Sequence, residues 1–347
     1  MRKLVTVRTI DSIRPIPDAD AIECATVEGW EIVIKKGEFQ PGEQCAYFEI
    51  DSFLPMADQR YQFLAKNQIN WEGKEGIRLR TVKLRGQLSQ GLALPLTSFP
   101  EIADHIAQTD QPVREIDFSP LLGIEKWEAP IPAGLGGEVE GAFPSVIRKT
   151  DQERVQNLVE VVRAQQDEEF EITIKLDGSS MTVFHHDGTT GVCGRNWWLK
   201  ESAGNMLWRV ARRDKLADAL ERYGRNLALQ GEIIGEGIQG NPEKLREQAF
   251  YLFDVFDIDH GRYLGYAERA QVVRDLRQLG ATLNEVPLLE ITTLAKFGGD
   301  INAMLAYAEG PSLNPATARE GVVFKRADGE FSFKVISNRY LLKHADR

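Results

Sequence analysis

The sequence predicts an α+β chain in two parts, and three patterns lead to that reading. From Leu4 to about Leu96 the apolar residues come in short alternating runs. Turns at Pro15-Ile16-Pro17-Asp18, Gly29, Lys36-Gly37, Pro41-Gly42 and Gly91 separate them, which is the rhythm of a small antiparallel barrel. Between residues 120 and 142, Pro120, Pro130, Pro132, Gly134, Gly136, Gly137 and Gly141 crowd between single apolar residues and mark a linker. After it, helical and strand periods are interleaved. With 347 residues and 42% hydrophobic content, the chain is long enough for two cores. The expected division is a barrel domain over 1–125, a linker over 126–142 and a mixed domain with antiparallel sheets over 143–347.

In the first part, Trp30-Glu31-Ile32-Val33-Ile34 and Ala46-Tyr47-Phe48-Glu49-Ile50 read as strands whose spacing fits an oligonucleotide-binding (OB) barrel first and a sandwich second. One strand is set apart by charge, Ile77-Arg78-Leu79-Arg80-Thr81-Val82-Lys83-Leu84-Arg85. Its alternation slips between Arg80 and Val82, and a bulge near Thr81 would turn Arg78, Arg80, Lys83 and Arg85 to one face. Such a face could track a nucleic-acid backbone, with Tyr61 and Trp71 as stacking surfaces. It could equally be an edge strand blunted by basic residues against aggregation.

The second part opens with Phe143-Pro144-Ser145-Val146-Ile147-Arg148-Lys149-Thr150. Thr150 and Glu153 have capping-box spacing, so a helix is expected through about Gln165, with Val155, Leu158, Val159 and Val162 on its apolar face. A lysine-bearing strand follows, then a turn at Asp187-Gly188, with His185 and His186 read as hairpin residues because no third ligand stands at metal-site spacing. Further helices are expected at Met206 to Tyr223, Ala267 to Leu279 and Ile301 to Glu309, the last two stopped by Gly280 and Gly310. Strands are expected around Glu232, across Phe250 to Ile258, and at Glu320 to Lys325 and Phe331 to Ser337, with Asp328-Gly329 as the turn between the last two.

Composition limits the function. A net charge of −10 opposes indiscriminate coating of nucleic acid, so any polyanion site must be local. Cys24, Cys45 and Cys193 are widely spaced and form neither a disulfide framework nor a zinc cluster, which suits a reducing compartment. No apolar run approaches transmembrane length and the first residues lack a secretory core, so a cytoplasmic protein without a membrane partner is expected.

The stretch with chemistry in it is Glu171-Ile172-Thr173-Ile174-Lys175-Leu176-Asp177-Gly178-Ser179-Ser180, a strand that ends by presenting one amine beside one carboxylate at a glycine turn. An amine with its ordinary pKa of about 10.4 is protonated near neutrality and cannot attack. Partial burial, neighbouring lysines or a divalent metal would lower that pKa and free it to attack carbon or phosphorus. The plainer reading is an exposed strand-end lysine before an ordinary Asp-Gly turn, and a Lys-x-Asp-Gly string arises by chance in about one chain in ten of this length. The rest of the domain strengthens the first reading, since Arg195, Glu232, Glu320, Lys325 and Lys334 all fall at strand ends or on apolar strands.

In this combination the sequence resembles the covalent nucleotidyltransferases, and in particular the ATP-dependent RNA ligases of the Deinococcus type. Lys175-Leu176-Asp177-Gly178 matches the motif whose lysine becomes adenylylated, and Arg195 in Gly194-Arg195-Asn196 matches the arginine that positions the nucleotide. Glu232, Phe253 and Glu320 match a ribose- or metal-facing glutamate, an adenine-stacking aromatic and the Glu-Gly-x-Val glutamate, while Lys325 and Lys334 match the lysines at the α-phosphate. The stretch Lys83-Leu84-Arg85-Gly86-Gln87-Leu88-Ser89-Gln90-Gly91-Leu92 and the segment from Phe143-Pro144 to Asn157 extend the likeness to an amino-terminal OB domain followed by the transferase. DNA ligases and mRNA capping enzymes carry their OB domain after the last motif, where this chain has only a tail. Ser332 departs from the family, standing where relatives often have the first lysine of Lys-x-Lys.

The resemblance implies an ATP-grasp-like transferase domain in which Lys175, Asp177, Glu320 and Lys334 are catalytic. Ile174, Lys175, Arg195, Glu232, Phe253, Lys325, Lys334, Arg148 and Lys149 would surround ATP, and Asp177, Glu232 and Glu320 would hold a hydrated Mg2+ or Mn2+. Arg148, Lys149 and Arg154 would orient pyrophosphate, or else form a charge cluster at a helix entry. The implied substrate is a nick in an RNA or RNA/DNA duplex, sealed by a monomer. The rivals are a DNA-strand ligase or other lysine nucleotidyltransferase and, from another class, a non-catalytic RNA-binding OB protein.

Overall fold

The computed structural model describes residues 2–128 and 138–344. The chain divides into two compact units, one of Met1–Pro130 with Leu341–Arg347 and one of Ile131–Tyr340. The middle of the expected linker, 129–137, lies outside the described residues. Its two ends are strands rather than linker, because Glu125–Lys126 pairs with Ser52–Pro55 and Val139–Ala142 pairs with Trp197–Leu199.

The first unit is built from short antiparallel sheets. Strand Gln44–Phe48 lies between Val5–Thr9 and Leu92–Pro95, which brings the two ends of the barrel sequence together. A meander of Ser12–Pro15, Ile22–Val27 and Trp30–Lys35 follows the turns that the sequence indicated. Tyr61 and Trp71, expected as stacking surfaces, are core residues instead. Tyr61 is fully buried against Phe48 and Trp71 packs on Phe53 with ring centroids 5.0 Å apart.

The expected basic strand is two strands in two different sheets. Lys74–Arg78 pairs with Ser52–Pro55, whereas Val82–Leu84 forms a hairpin with Gln87–Ser89. The break follows from what each end needs. Leu79 still exchanges hydrogen bonds with Ser52 and Asp51, while Arg85 at φ 49° and Gly86 at φ 81° make the tight turn that folds the next strand back. Arg78 is committed within the unit, donating to Asp51 at 2.8 Å with its guanidinium 3.6 Å from the Trp127 ring centre. Arg80, Lys83 and Arg85 are exposed.

The second unit has two sheets. The larger runs in the order Val139–Ala142, Trp197–Leu199, Thr189–Cys193, Ser179–His186, Leu227–Ile234, Ala249–Asp257 and Arg262–Tyr263. Helices Met206–Arg213, Leu216–Tyr223 and Tyr266–Gln278 cover it through Trp208, Leu220, Val272 and Leu276. The single helix expected from Met206 to Tyr223 is thus two, since Lys215 turns left-handed at φ 54° between them. The smaller sheet is Glu153–Arg154, Ser332–Ile336, Gly321–Arg326, Glu169–Lys175 and Leu288–Thr293. The expected capping-box helix is shorter than its pattern, because Glu153–Arg154 pairs in parallel with Phe333–Lys334 and only a 3-10 turn at Val155–Asn157 and an α-helix at Val159–Ala164 follow. Strand pairing beside Lys334 outweighs the local helical preference of those residues. Among the described residues no helix is long and apolar enough to cross a membrane.

Candidate active site

Alternation along Glu169–Lys175 separates two faces. Phe170 and Ile172 enter a core with Val162, Met304, Phe324 and Phe333, which leaves Glu171, Thr173 and Lys175 on the other side. Lys175 pairs with Gly321, and a Cβ on Gly321 would stand 2.1 Å from the Val335 carbonyl oxygen, so only glycine permits that approach. The neighbouring Glu320 thereby reaches Lys175, whose Nζ donates to Glu320 Oε2 at 2.7 Å. Gly178 does the same for Asp177 and Glu232. A Cβ there would lie 2.4 Å from the Ile233 carbonyl oxygen and 2.9 Å from the Glu232 side chain, so only glycine lets the turn pass this close to Glu232.

The electrostatics run opposite to one expectation. Burial pushes the Lys175 pKa down, but Glu320, Glu232 and Asp177 outweigh it and hold the amine above its ordinary value. Lys175 is therefore an ammonium in the ligand-free chain. Burial, with Glu320 and Asp177 nearby, pushes the Glu232 carboxyl up to about 7 against the pull of Lys175. Lys334, beside Arg154 in register, is pushed down to about 8 by burial and by the charges of Lys175 and Arg154. It has no hydrogen-bond or ion-pair partner among the described residues. Lys175 thus stands among carboxylates, while Lys334 is disfavoured as a cation by burial and by Lys175 and Arg154, burdens that a cation and a polyphosphate would each relieve. No three His, Cys, Asp or Glu side chains among the described residues already stand as a direct metal cage.

The remaining candidates divide. Arg195 pairs with Asp151 at 3.0 Å, and Lys149 donates to Asn196 at 3.1 Å, so these two cations meet around the Gly194-Arg195-Asn196 turn. Arg148 lies with its guanidinium 6.0 Å from the Phe256 ring centre and its carbonyl accepting from Gln230. Phe253 is the extra residue of a β-bulge, since Gln230 faces Asp254 and Gly231 faces Leu252. Ile174 packs with Leu176 and Ile234 beneath the turn. Lys325, expected at a phosphate, is occupied elsewhere. It is 4% exposed and its amine meets Asp254 Oδ1 and the Phe253 carbonyl that the bulge removes from the ladder.

Two features escaped the sequence. Glu171 and Arg269 form a bidentate pair, both almost fully buried, with Lys325 3.9 Å from Glu171. A carboxylate inside an apolar strand was the available signal. The other is Tyr340, whose hydroxyl donates to Asp177. Nothing around Tyr340 in the sequence marks it.

Comparison with known proteins agrees with this geometry. An OB-fold domain model matches residues 4–96 and an RNA ligase model matches residues 168–336. A structure of Naegleria gruberi RNA ligase with PPi is 54% identical, with TM-score 0.85 and 100% of both chains covered. The chain belongs to the RNA ligase family. Two variants of the Naegleria enzyme, one solved with ATP and Mn and one with AMP and Mn, are each 53% identical at TM-score 0.84. The first match covers 99% of both chains and the second 100%. No curated protein sequence matches. This RNA ligase is thus an OB-fold domain followed by a ligase domain of mixed α+β structure with antiparallel sheets, as the sequence indicated.

Proposed function

We propose that this RNA ligase uses ATP to join 3′-hydroxyl and 5′-phosphate ends through a covalent lysyl-AMP on Lys175. The observation that carries the reading is the Lys175–Glu320 contact at 2.7 Å in a cluster with Asp177 and Glu232, with the Lys334 amine, unpartnered among the described residues, close by. The structures of the Naegleria enzyme with ATP and Mn, and with AMP and Mn, support the same nucleotide and a divalent cation here.

The Lys175 ammonium must lose a proton before it can attack, and Glu320 Oε2 is the acceptor in reach. Its lone pair then forms a P–N bond to the α-phosphorus as the bond to the bridging oxygen breaks and pyrophosphate leaves. An oxygen of the 5′-phosphate next displaces the lysine amine, and the 3′-hydroxyl finally displaces AMP to close the phosphodiester. Lys334 offsets charge on the α-phosphate during each transfer. Phe253 stacks on the adenine, Arg195 orients the nucleotide, and Arg148 and Lys149 face the leaving pyrophosphate. Asp177, Glu232 and Glu320 fit a hydrated divalent cation because the three carboxylates gather at Lys175, where burial first and the other two acids second hold the Glu232 carboxyl up near neutral. When bound, such a cation neutralises the carboxylates that keep Lys175 protonated and balances charge on the phosphate. Lys325 acts in this reading by holding the Phe253 backbone, while Ser332 leaves Lys334 as the phosphate lysine of its strand.

The substrate in this reading is a nick in a duplex whose 3′-hydroxyl strand is RNA, sealed by a monomer in a reducing cytoplasm. The buried, unpaired Cys24, Cys45 and Cys193 suit that compartment. In this reading the OB-fold domain extends through Lys126 and the ligase domain begins at Val139. Matched nicks of all RNA, all DNA and mixed strands test the substrate. Sealing only where the 3′-hydroxyl strand is RNA is expected, and equal sealing of an all-DNA nick would reject the RNA requirement.

A further inference from the structure

The last strand of the smaller sheet, Ser332–Ile336, carries Lys334 and runs into the helix Asn338–His344 through Ser337, which is 2% exposed. That junction is held by three hydrogen bonds, two of which reach the site. The Ser337 N–H donates to the carbonyl oxygen of Glu320 at 2.9 Å. The Ser337 hydroxyl accepts from the N–H of Tyr340 at 3.1 Å, and the Tyr340 hydroxyl donates to Asp177 Oδ2. A continuous run of hydrogen bonds therefore joins the backbone of Glu320 to the carboxylate of Asp177, although the motif that contains Asp177 lies 163 residues earlier than the tyrosine.

Hydrogen bonds from a hydroxyl to a carboxylate are charge-assisted and directional, so they fix the rotamer of a short acid side chain. With Oδ2 occupied by the phenol, Oδ1 is left without a protein donor among the described residues. Asp177 follows Lys175 by two residues at the same turn, so its orientation bears directly on the nucleophile. We propose that Tyr340 is a positioning residue of the ligase, fixing the Asp177 carboxylate so that Oδ1 faces the hydrated cation and Lys175, with Ser337 setting Tyr340 in turn. This rests on the lysyl-AMP reading above. Tyr340 does not touch the nucleotide in this account and acts only through Asp177.

The test uses the full chain with Tyr340→Phe, which keeps the ring and removes the hydroxyl, and with Ser337→Ala. Single-turnover adenylylation is followed against ATP and against Mn2+, and Mn2+ binding without nucleotide is counted separately from the EPR signal of the free ion. Tyr340→Phe is expected to lower the maximal adenylylation rate roughly tenfold, the usual scale for losing a hydrogen bond to a charged group. The KM for ATP stays within about twofold and the Mn2+ concentration at half-saturation rises several-fold in both assays. Ser337→Ala moves the same quantities in the same direction by less. Wild-type rate and wild-type Mn2+ binding in folded Tyr340→Phe would overturn the proposal, and so would a raised ATP KM at unchanged maximal rate. Should Tyr340→Phe not fold, wild-type behaviour of Ser337→Ala in both assays would overturn it instead. If the wild-type chain made no adduct, the lysyl-AMP reading would fail, and the Mn2+ binding comparison would still decide the role of Tyr340.

Discussion

Lys175 is protonated in the ligand-free chain because three carboxylates surround it, and Glu232, buried beside the other two, is the one held toward its neutral form. A carboxyl raised from 4.5 to about 7 by folding favours its neutral form. Its contribution to stability is complete below pH 4.5 and is lost as pH rises through about 7. Glu232→Gln should therefore raise the Tm of the ligand-free protein by several degrees at pH 8 and by almost nothing at pH 5, as read by a thermal melt across that range. Mn2+ should stabilise the wild type at pH 8 and the variant much less. An equal Tm gain at both pH values would show that Glu232 is not the strained charge. Lys175, Asp177, Glu232 and Glu320, which the structure brings together, each stood out as a local string because each motif carries its own glycine. The direction of the Lys175 shift was not legible, because it is set by Glu320 arriving from 145 residues away.

Elements were legible where one short pattern decided them. The helix Tyr266–Gln278 stops ahead of Gly280 at φ 97°, and Asp328-Gly329 turns between the paired strands Gly321–Arg326 and Ser332–Ile336. They were misread where a partner strand decided instead. Thr150 to Glu153 looks like a helix start until Phe333–Lys334 pairs with Glu153–Arg154. The bulge at Phe253 was equally invisible, for it arises from the register between two strands. Its stability is testable through Lys325, which satisfies the carbonyl that the bulge exposes and neutralises Asp254. Burial raises the Asp254 pKa and Lys325 opposes that rise. Lys325→Met should cost about 3 kcal/mol in denaturant unfolding, because a buried carboxylate is left alone. Adding Asp254→Leu should recover part of the loss. A single variant as stable as the wild type would mean that the buried pair contributes nothing to the fold.

At the scale of the whole molecule, the two units were unequally legible in the sequence. The strand rhythm of the first unit revealed an OB fold, but its charged stretch was misassigned as one strand because alternation alone cannot show where a chain changes sheets. Arg80, Lys83 and Arg85 remain exposed, while Arg78 is taken up by Asp51 and Trp127. Changing Arg80, Lys83 and Arg85 together to alanine should weaken RNA binding and flatten its salt dependence by up to about three units of slope. Adenylylation should be unaffected, and an unchanged salt slope in the folded variant would place the RNA surface elsewhere. In the proposed mechanism Lys175 carries the nucleotide. The direct measurement is intact mass and peptide mapping of the full chain after incubation with ATP and Mn2+, beside Lys175→Ala treated identically. One AMP moiety in acid-labile linkage to Lys175, with none on the variant, is the expected result. An adduct of equal yield on Lys175→Ala, or on any other residue of the wild type, would contradict the account.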